Sequence, residues 1–561
     1  MHPSTPWLLL AFGGTAIAHP LFHPKITWVD CHNNVPSVLS QGFPTDNFSA
    51  AALPSTLHCG QIQVPVDYSK SIHADGNQIT VGLAMYRPRK PKGVLFYCPG
   101  GTDAGAVIPW QVALGLNSDF TPDFAGLLDY DLMAMDIRGT WSSNVLNVSL
   151  DTVLPLVSVG YPANRWDFDA YLAAATTMWQ SWANLSSPAG ILDHMGTPEV
   201  VQDYDSIRSA LGHDKIHFLG ASTGSFRASQ YASTYPNRVG HFALNAVVPH
   251  GLSVENQVKY DILAVNRGLL RADAFCQNNA TCPWHHAGRG SVPNVRCRDR
   301  PPSHSQRLTF AWETYRDLLA SATNGTLVAC DTPTATDCSG NGTAVPAWEL
   351  QAAIARRPAG QPDFPMLLDA LALARAGNAA ALVASPPPTL DQFWGFPLIC
   401  NDYPVDKSFR AYQKVIKTAA SVDTHRLNQS MWIFAQLICS AWPYAVPVDE
   451  PLGLNATMLL VTSDFDVSQP TEKTTFMWET QTPHSALVVR HGDDHVSFNE
   501  PKVASTEITK QFLRTGVLPL DQDSTYVTVY QPGEHRRPVA DPYCAPTGFW
   551  VGDIDSAPDI A

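Results

Sequence analysis

Apolar residues along this chain follow two periods. Short, nearly continuous runs at 93–98, 131–136, 215–220, 458–463 and 486–490 have the length of strands buried on both faces. Residues 79–86 alternate as a strand, and a further strand pattern covers 242–248. Between these runs, apolar residues recur at helical spacing over about 167–183, 198–211, 228–235, 471–479 and 502–513. Strands alternating with helices predict a mostly parallel sheet. The pattern changes between 251 and 450, where strand signals nearly vanish and helices are expected at 308–322, 366–376 and 407–422. Because the strand–helix alternation resumes afterwards, this stretch reads as a helical insertion that caps the sheet domain. Residues 19 to about 78 read as an arm with loops, ending in Val64-Pro65-Val66-Asp67-Tyr68.

Composition narrows the class. With 561 residues, 45% hydrophobic and 15% charged, the chain can bury a large core. A net charge of −14 argues against a nucleic-acid partner. Trp7 to Ile17 is an apolar run too short to span a membrane, and Ala16-Ile17-Ala18 is an A-x-A cleavage site, so residues 1–18 are expected to be a secretion signal. The leading segment carries His2 but no Lys or Arg. Eight N-x-S/T sequons agree with secretion, at Asn47, Asn147, Asn184, Asn279, Asn324, Asn341, Asn428 and Asn455. So do eleven cysteines. Cys31 with Cys59 would tie down the arm, Cys330 with Cys338 would close a short loop, and Cys400 with Cys439 would form a long-range pair. Cys276, Cys282 and Cys297 cluster with their pairing open, and Cys98, ending a strand, is taken as the free thiol. No C-x-x-C occurs and His285-His286 lacks ligand spacing, so no metal is expected.

The candidate chemistry centres on Gly220-Ala221-Ser222-Thr223-Gly224, a G-x-S-x-G string between a strand and a helix. That context defines a nucleophile elbow, a sharp turn that exposes the serine hydroxyl at the N-terminus of a helix. Ser222 then needs a base, an acid and an oxyanion hole. Two late loops supply the first two: Asp464-Phe465-Asp466 after the 458–463 strand, and His491-Gly492-Asp493-Asp494-His495 after the 486–490 strand. His495 lies farther into its loop than His491 and is the chosen base. Asp466 is the chosen acid, with Asp464 the alternative. The first oxyanion donor is the Thr223 N–H. The second is expected from Cys98-Pro99-Gly100-Gly101-Thr102-Asp103, at Gly101 or Thr102.

These motifs resemble the secreted proline iminopeptidase and tripeptidyl aminopeptidase group of serine α/β-hydrolases. Pro99-Gly100-Gly101 is similar to its Asn-Pro-Gly-Gly-Pro-Gly loop, and Asp136-Ile137-Arg138-Gly139 to its Asp-x-Arg-Gly. The helix 203–212, Asp466 with Pro470, Gly516-Val517-Leu518-Pro519, and the cap segments Ile399-Cys400-Asn401-Asp402 and Cys439-Ser440-Ala441-Trp442-Pro443 also resemble it. The resemblance spans about 55–520. It implies an α/β-hydrolase fold with a large helical cap. The core is expected at 55–250 and 451–535, the latter the TAP-like C-terminal segment. The cap is expected at 251–450, between an arm at 19–54 and a tail at 536–561. It implies a secreted aminopeptidase needing no cofactor and taking a peptide or small-molecule substrate, with no nucleic-acid or membrane partner and an open oligomeric state. Asp402 is the residue expected to meet a substrate ammonium group. The alternative roles for Asp402 are helix capping and a bond to loop backbone. Thr223, Ser225, Thr102-Asp103 and Asp494 stand where the group has other residues. An esterase, lactonase or amide hydrolase acting on a small metabolite is therefore the alternative.

Overall fold

The computed structural model describes residues 24–543, less 38, 40–52, 103, 117–121, 280–281, 283, 286–309, 334, 336–337, 339–341, 385–387 and 501–502. The expected signal segment, Asn47, Asn341, Cys297, Asp103 and most of the tail lie outside the described residues. Strands form at β1 (Ile26–Val29), β2 (Leu57–Val64), β3 (Ile79–Tyr86), β4 (Val94–Cys98), β5 (Asp131–Met135), β6 (Ile216–Ala221) and β7 (Val239–Asn245). A small hairpin, β8 (Val328–Cys330) and β9 (Gly342–Ala344), follows within the insertion. The chain then adds β10 (Met458–Ser463), β11 (Ala486–Arg490), β12 (Gln522–Asp523) and β13 (Val527–Tyr530).

Among the described residues one sheet runs β1-β2-β3-β5-β4-β6-β7-β10-β11-β13-β12. Its centre, from β5 to β11, is parallel. Both flanks are antiparallel. Alternate residues of the central strands enter separate apolar cores. Val94, Phe96, Phe218, Phe242 and Leu460 face one side of the sheet. Leu95, Leu219, Ala243, Val461 and Val488 face the other. Burial on both faces is the physical reason these strands read as continuous apolar runs.

The flanks depart from the sequence reading. The arm was expected to be loops, yet β1 and β2 extend the sheet, and the Cys31–Cys59 disulfide fastens them where Val29 opposes Cys59. β12 and β13 extend the other edge. β7 begins three residues earlier than expected and stops at Asn245, because Ala246 takes a positive φ of 52° that ends the strand. The disulfides Cys330–Cys338, Cys400–Cys439 and Cys276–Cys282 form, and Cys98 is free and buried.

The insertion divides in two. Its outer helices, Val254–Asn278, Phe310–Thr323, Ala347–Arg356 and Phe364–Arg375, share a core of their own around Leu269, Tyr315, Leu350 and Leu367. Its inner helices, Gly395–Asp402, Phe409–Val422 and Met431–Ser440, send Leu398, Tyr412, Trp432 and Ile433 into the core of the sheet domain.

One half-buried titratable group contributes to acid sensitivity. His217 on β6 stacks edge-on against His241, with ring centroids 4.4 Å apart, and its Nδ1 accepts the His241 N–H. Burial, and secondarily the charge of His241, push it down from 6.5 to about 4. Between those values the unfolded chain binds more protons, so stability is lost as pH falls through that window. In His217→Gln the unfolding temperature should fall less than in the parent between about pH 7 and about pH 4.5. Equal falls, followed by circular dichroism, would assign the acid sensitivity elsewhere.

Candidate active site

Parallel strands place their C-terminal ends along one edge, and four loops meet there. They follow β4, β6, β10 and β11. Ser222 follows β6 with φ 52° and ψ −128°, a strained conformation for a residue with a side chain. The turn is tight because three glycines let backbones meet. A Cβ on Gly220 would lie 2.6 Å from the Gly224 carbonyl oxygen, and one on Gly224 would run into the Cys98 carbonyl. Gly100, at φ 114°, presses against Ala221 and Ser222 in the same way. The Ser222 N–H donates to the Asn245 carbonyl at 2.9 Å. Ser225, one of the departures noted above, has a definite role. Its hydroxyl donates to the Ser222 carbonyl (2.5 Å) and accepts from the Val248 N–H (2.9 Å).

The loop after β4 is held from three sides. The Arg227 guanidinium donates to the Gly101 carbonyl (3.2 Å) and to Cys98 Sγ (3.5 Å). Trp141 Nε1 donates to the Thr102 carbonyl (2.6 Å), and the Thr102 hydroxyl donates to the Asp391 carbonyl (3.1 Å). Asp136 accepts the Ala106 N–H (3.0 Å) and the Ser142 N–H (3.1 Å) and hydroxyl (2.5 Å). Nearby, Arg138 makes a fully buried bidentate pair with Asp203 and donates to the carbonyls of Pro65, Val66 and His194. The Asp-x-Arg-Gly segment therefore joins the arm, the sheet and the helix Thr197–Leu211.

Asp466 and His495 come together, with His495 Nδ1 2.8 Å from Asp466 Oδ2. The other Asp466 oxygen accepts the N–H groups of Ser468 and Gln469, both at 2.8 Å. Burial raises the Asp466 carboxyl above its usual range, against the pull of His495. The alternatives Asp464 and His491 form a second pair, at 2.6 Å, but in a different setting. His491 Nε2 is bonded to Thr528 Oγ1 (2.8 Å), and Asp464 also binds Arg536 (2.5 Å). Burial opposes ionisation of Asp464, yet His491 and Arg536 outweigh it and hold the carboxyl below its usual value. That pair ties β11 to β13 and to the C-terminal segment.

Two cavities open at the elbow. One, of 640 Å³, is lined by Gly101, Ser222, Thr223, Asp261, Ser468 and Gln469 among mostly apolar residues. The other, of 240 Å³, is lined by Gly101, Thr102, Thr223, Arg227, Asp402 and cap side chains. Asp402 caps the helix Thr197–Leu211, its two oxygens accepting the Thr197 N–H (2.6 Å) and hydroxyl (2.8 Å). Burial pushes its carboxyl up to about 6.

Residues 93–275, with the elbow inside them, match the model of the alpha/beta hydrolase fold. This chain has the α/β-hydrolase fold. Residues 425–525 of the hydrolase, which carry Asp466 and His495, match the TAP-like protein model. The serine protease Hip1 of Mycobacterium tuberculosis is 27% identical over 279 residues, 48% of this chain and 49% of that one. The tripeptidyl aminopeptidases of Streptomyces coelicolor and Streptomyces lividans are each 28% identical over 203 residues, 35% of this chain and 36% of theirs. The match thus spans about half of Hip1 and about a third of the aminopeptidases.

Sequence reasoning missed the supports of the hydrolase site. Arg271, on the outer cap helix and fully buried, clasps Asp493 with two bonds of 2.5 and 2.6 Å. Its guanidinium also lies 4.3 Å over the Phe465 ring. Asp494 accepts from Ser463 and Arg490, both at 2.5 Å. The histidine loop is thereby pinned at each of its acidic residues. These partners lie 4 to 222 positions away in sequence, and only the 490–494 spacing was visible locally.

Asp402 offers a direct check. If capping accounts for it, Asp402→Asn should shift the unfolding temperature and leave the ratio of rates on free and amino-blocked peptides unchanged. A collapse of that ratio, measured in a paired peptide assay, would return Asp402 to substrate recognition.

Proposed function

We propose that this hydrolase is a secreted serine peptidase that releases residues or short peptides from free amino ends. Ser222 is the nucleophile, His495 the base and Asp466 the acid that orients it. The observation that carries this reading is the strained Ser222 turn on the wall of the 640 Å³ cavity, at the same sheet edge as the Asp466–His495 pair. The names of the relatives, a serine protease and tripeptidyl aminopeptidases, support a peptide substrate. Secretion is supported by the disulfides and by sequon asparagines that are exposed at Asn147, Asn184, Asn324 and Asn455 and half-buried at Asn279 and Asn428. Among the described residues no helix is long and apolar enough to cross a membrane.

The chemistry runs as follows. Ser222 Oγ attacks the scissile carbonyl while His495 takes its proton, and Asp466 at Nδ1 keeps the imidazole in the useful tautomer. Negative charge on the carbonyl oxygen is met by the Thr223 N–H at the helix N-terminus and by the N–H of Gly101 or Thr102. His495 then protonates the leaving amine, and water repeats the sequence on the acyl-enzyme.

Ser222→Ala should lower kcat by at least about 10³-fold with an unchanged circular dichroism spectrum, and His495→Ala and Asp466→Asn by several orders of magnitude. Retention of activity in Asp466→Asn with loss in Asp464→Asn, read on the same substrate, would move the acid to the second pair.

Blocking the amino end is the test of substrate class. An amino-terminal exopeptidase reads an ammonium group through a charge-assisted bond that acetylation removes. Acetylated peptides should therefore lose at least about tenfold in kcat/KM. Equal rates would reject the exopeptidase, and turnover of small esters with none of any peptide would favour a metabolite hydrolase.

A further inference from the structure

The 640 Å³ cavity that holds Ser222 on its wall has two charged residues in its lining, Asp261 and Arg356. Asp261 is already paired. One oxygen lies 2.6 Å from the buried Lys473 ammonium, and the other accepts the Ser430 hydroxyl at 2.7 Å. Arg356 differs: among the described residues it has no hydrogen-bond or ion-pair partner. Its placement follows from helix periodicity. The helix Ala347–Arg356 and the turn after it give Trp348, Ala352, Ala355, Arg356 and Ala359 to the cavity, one face at spacings of three and four. Another face, with Leu350, Ala353 and Ile354, enters the core of the outer cap. Arg357 lies on that second face, where it donates to the Ala381 and Leu382 carbonyls. Arg356 is solvent-exposed, as are Val159 and Met431 of the same lining, so these residues mark the mouth of the cavity.

We propose that Arg356 binds a carboxylate of the substrate at the cavity mouth while Ser222 acts elsewhere on the same molecule, so that the enzyme favours short peptides carrying a free carboxylate. The inference rests on the serine-peptidase reading above and names the substrate class within it. Charge decides the sign. With Asp261 paired to Lys473, Arg356 leaves the cavity lining with one uncompensated positive charge, in a chain whose net charge is −14. Partial burial, and then the charge of Arg357, pull Arg356 below the usual arginine value against the opposing effect of Glu349. An anion docked beside the guanidinium offsets both effects. Geometry decides the class. A guanidinium presents parallel N–H donors that match the two oxygens of a carboxylate. An ammonium group is repelled there, so the free amino end of the substrate belongs elsewhere in the cavity. A peptide carries carboxylates at its carboxyl end and on Asp and Glu side chains, and both offer the guanidinium the same chemistry.

The test uses the full chain and short peptides with free amino ends, in pairs that differ by one charge: a free carboxyl end against its carboxamide, and an internal Glu against Gln. Fluorophosphonate labelling and p-nitrophenyl acetate turnover report a competent serine. The anionic member of at least one pair should lead by about tenfold in kcat/KM, chiefly through KM, and the pair that responds identifies which carboxylate is read. Arg356→Gln should bring that ratio towards one, Arg356→Glu should invert it, and Arg356→Lys should keep part of it. Arg357→Gln, which alters the neighbouring charge engaged in the outer cap, should leave the anionic substrate ahead. Added salt should shrink the ratio, which a purely steric role would not do. Equal rates within both pairs, or a ratio that survives in Arg356→Gln, would overturn the inference. If labelling succeeds and no peptide is cleaved, the peptidase reading falls, and the same ratio for mono-p-nitrophenyl adipate against p-nitrophenyl hexanoate then decides the role of Arg356. Absence of labelling and of acetate turnover would instead overturn the serine-hydrolase reading, and this inference with it.

Discussion

The constraint on which this molecule depends is a single backbone turn. A residue with a side chain at φ 52° costs of order 1–3 kcal/mol and persists only where its surroundings leave no alternative. Here the surroundings are backbone itself. Gly100, Gly220 and Gly224 bring three segments closer than any Cβ would allow, and Ser225 and Asn245 anchor the peptide groups on both sides of Ser222. Strain and function are linked through this geometry. The turn that strains Ser222 also places it on the wall of the larger cavity and starts the helix Thr223–Thr234.

Around that turn the hydrolase uses buried ion pairs to hold separate segments. Arg138–Asp203 joins the arm and a helix to the end of β5, and Arg271–Asp493 joins the cap to the histidine loop. Lys473, fully buried, lies 2.6 Å from Asp261 and joins the acid-loop helix to the same cap helix. Such pairs add little net stability, since the desolvation of two charges offsets most of their attraction. Removing one partner leaves a buried charge and costs about 3–5 kcal/mol.

What the sequence made legible follows the same division. The central strands were readable because both of their faces are buried, and the 79–86, 458–463 and 486–490 strands match their expected bounds. The flanking strands were not. β2 mixes His58, Gly60, Gln61 and Gln63 with apolar residues, because His58, Gln61 and Gln63 keep contact with solvent, and β13 is four residues long. β7 was read out of frame because Ala246, Val247 and Val248 continue its apolar run although the backbone has already turned. Within the site, the glycine string and the Asp466 and His495 loops are local features and could be read directly. The second pair, Asp464 with His491, shows how little local spacing alone decides. Both pairs come from the same two loops, and they separate only because Thr528 and Arg536, distant in sequence, claim the members of one of them.

The two halves of the insertion carry different burdens, and this bears on how selectivity is built. The outer helices have a core of their own, and through Arg271 and Asp261 they reach the loop that carries His495 and the helix that follows Asp466. The inner helices share the core of the sheet domain and supply Leu398, Ile399, Asp402, Trp432 and Ile438 to the smaller chamber. A change of side chain there is felt at once by the sheet, by the Cys400–Cys439 disulfide and by whatever group lies beside Ser222. The elbow and its loops need only backbone geometry and two paired side chains. The chamber needs contributions from the loop after β4, the elbow helix, two inner cap helices and the loop after β10 at once. Its chemistry is therefore spread over five stretches of sequence with no common spacing, so it emerges only when the chain is folded.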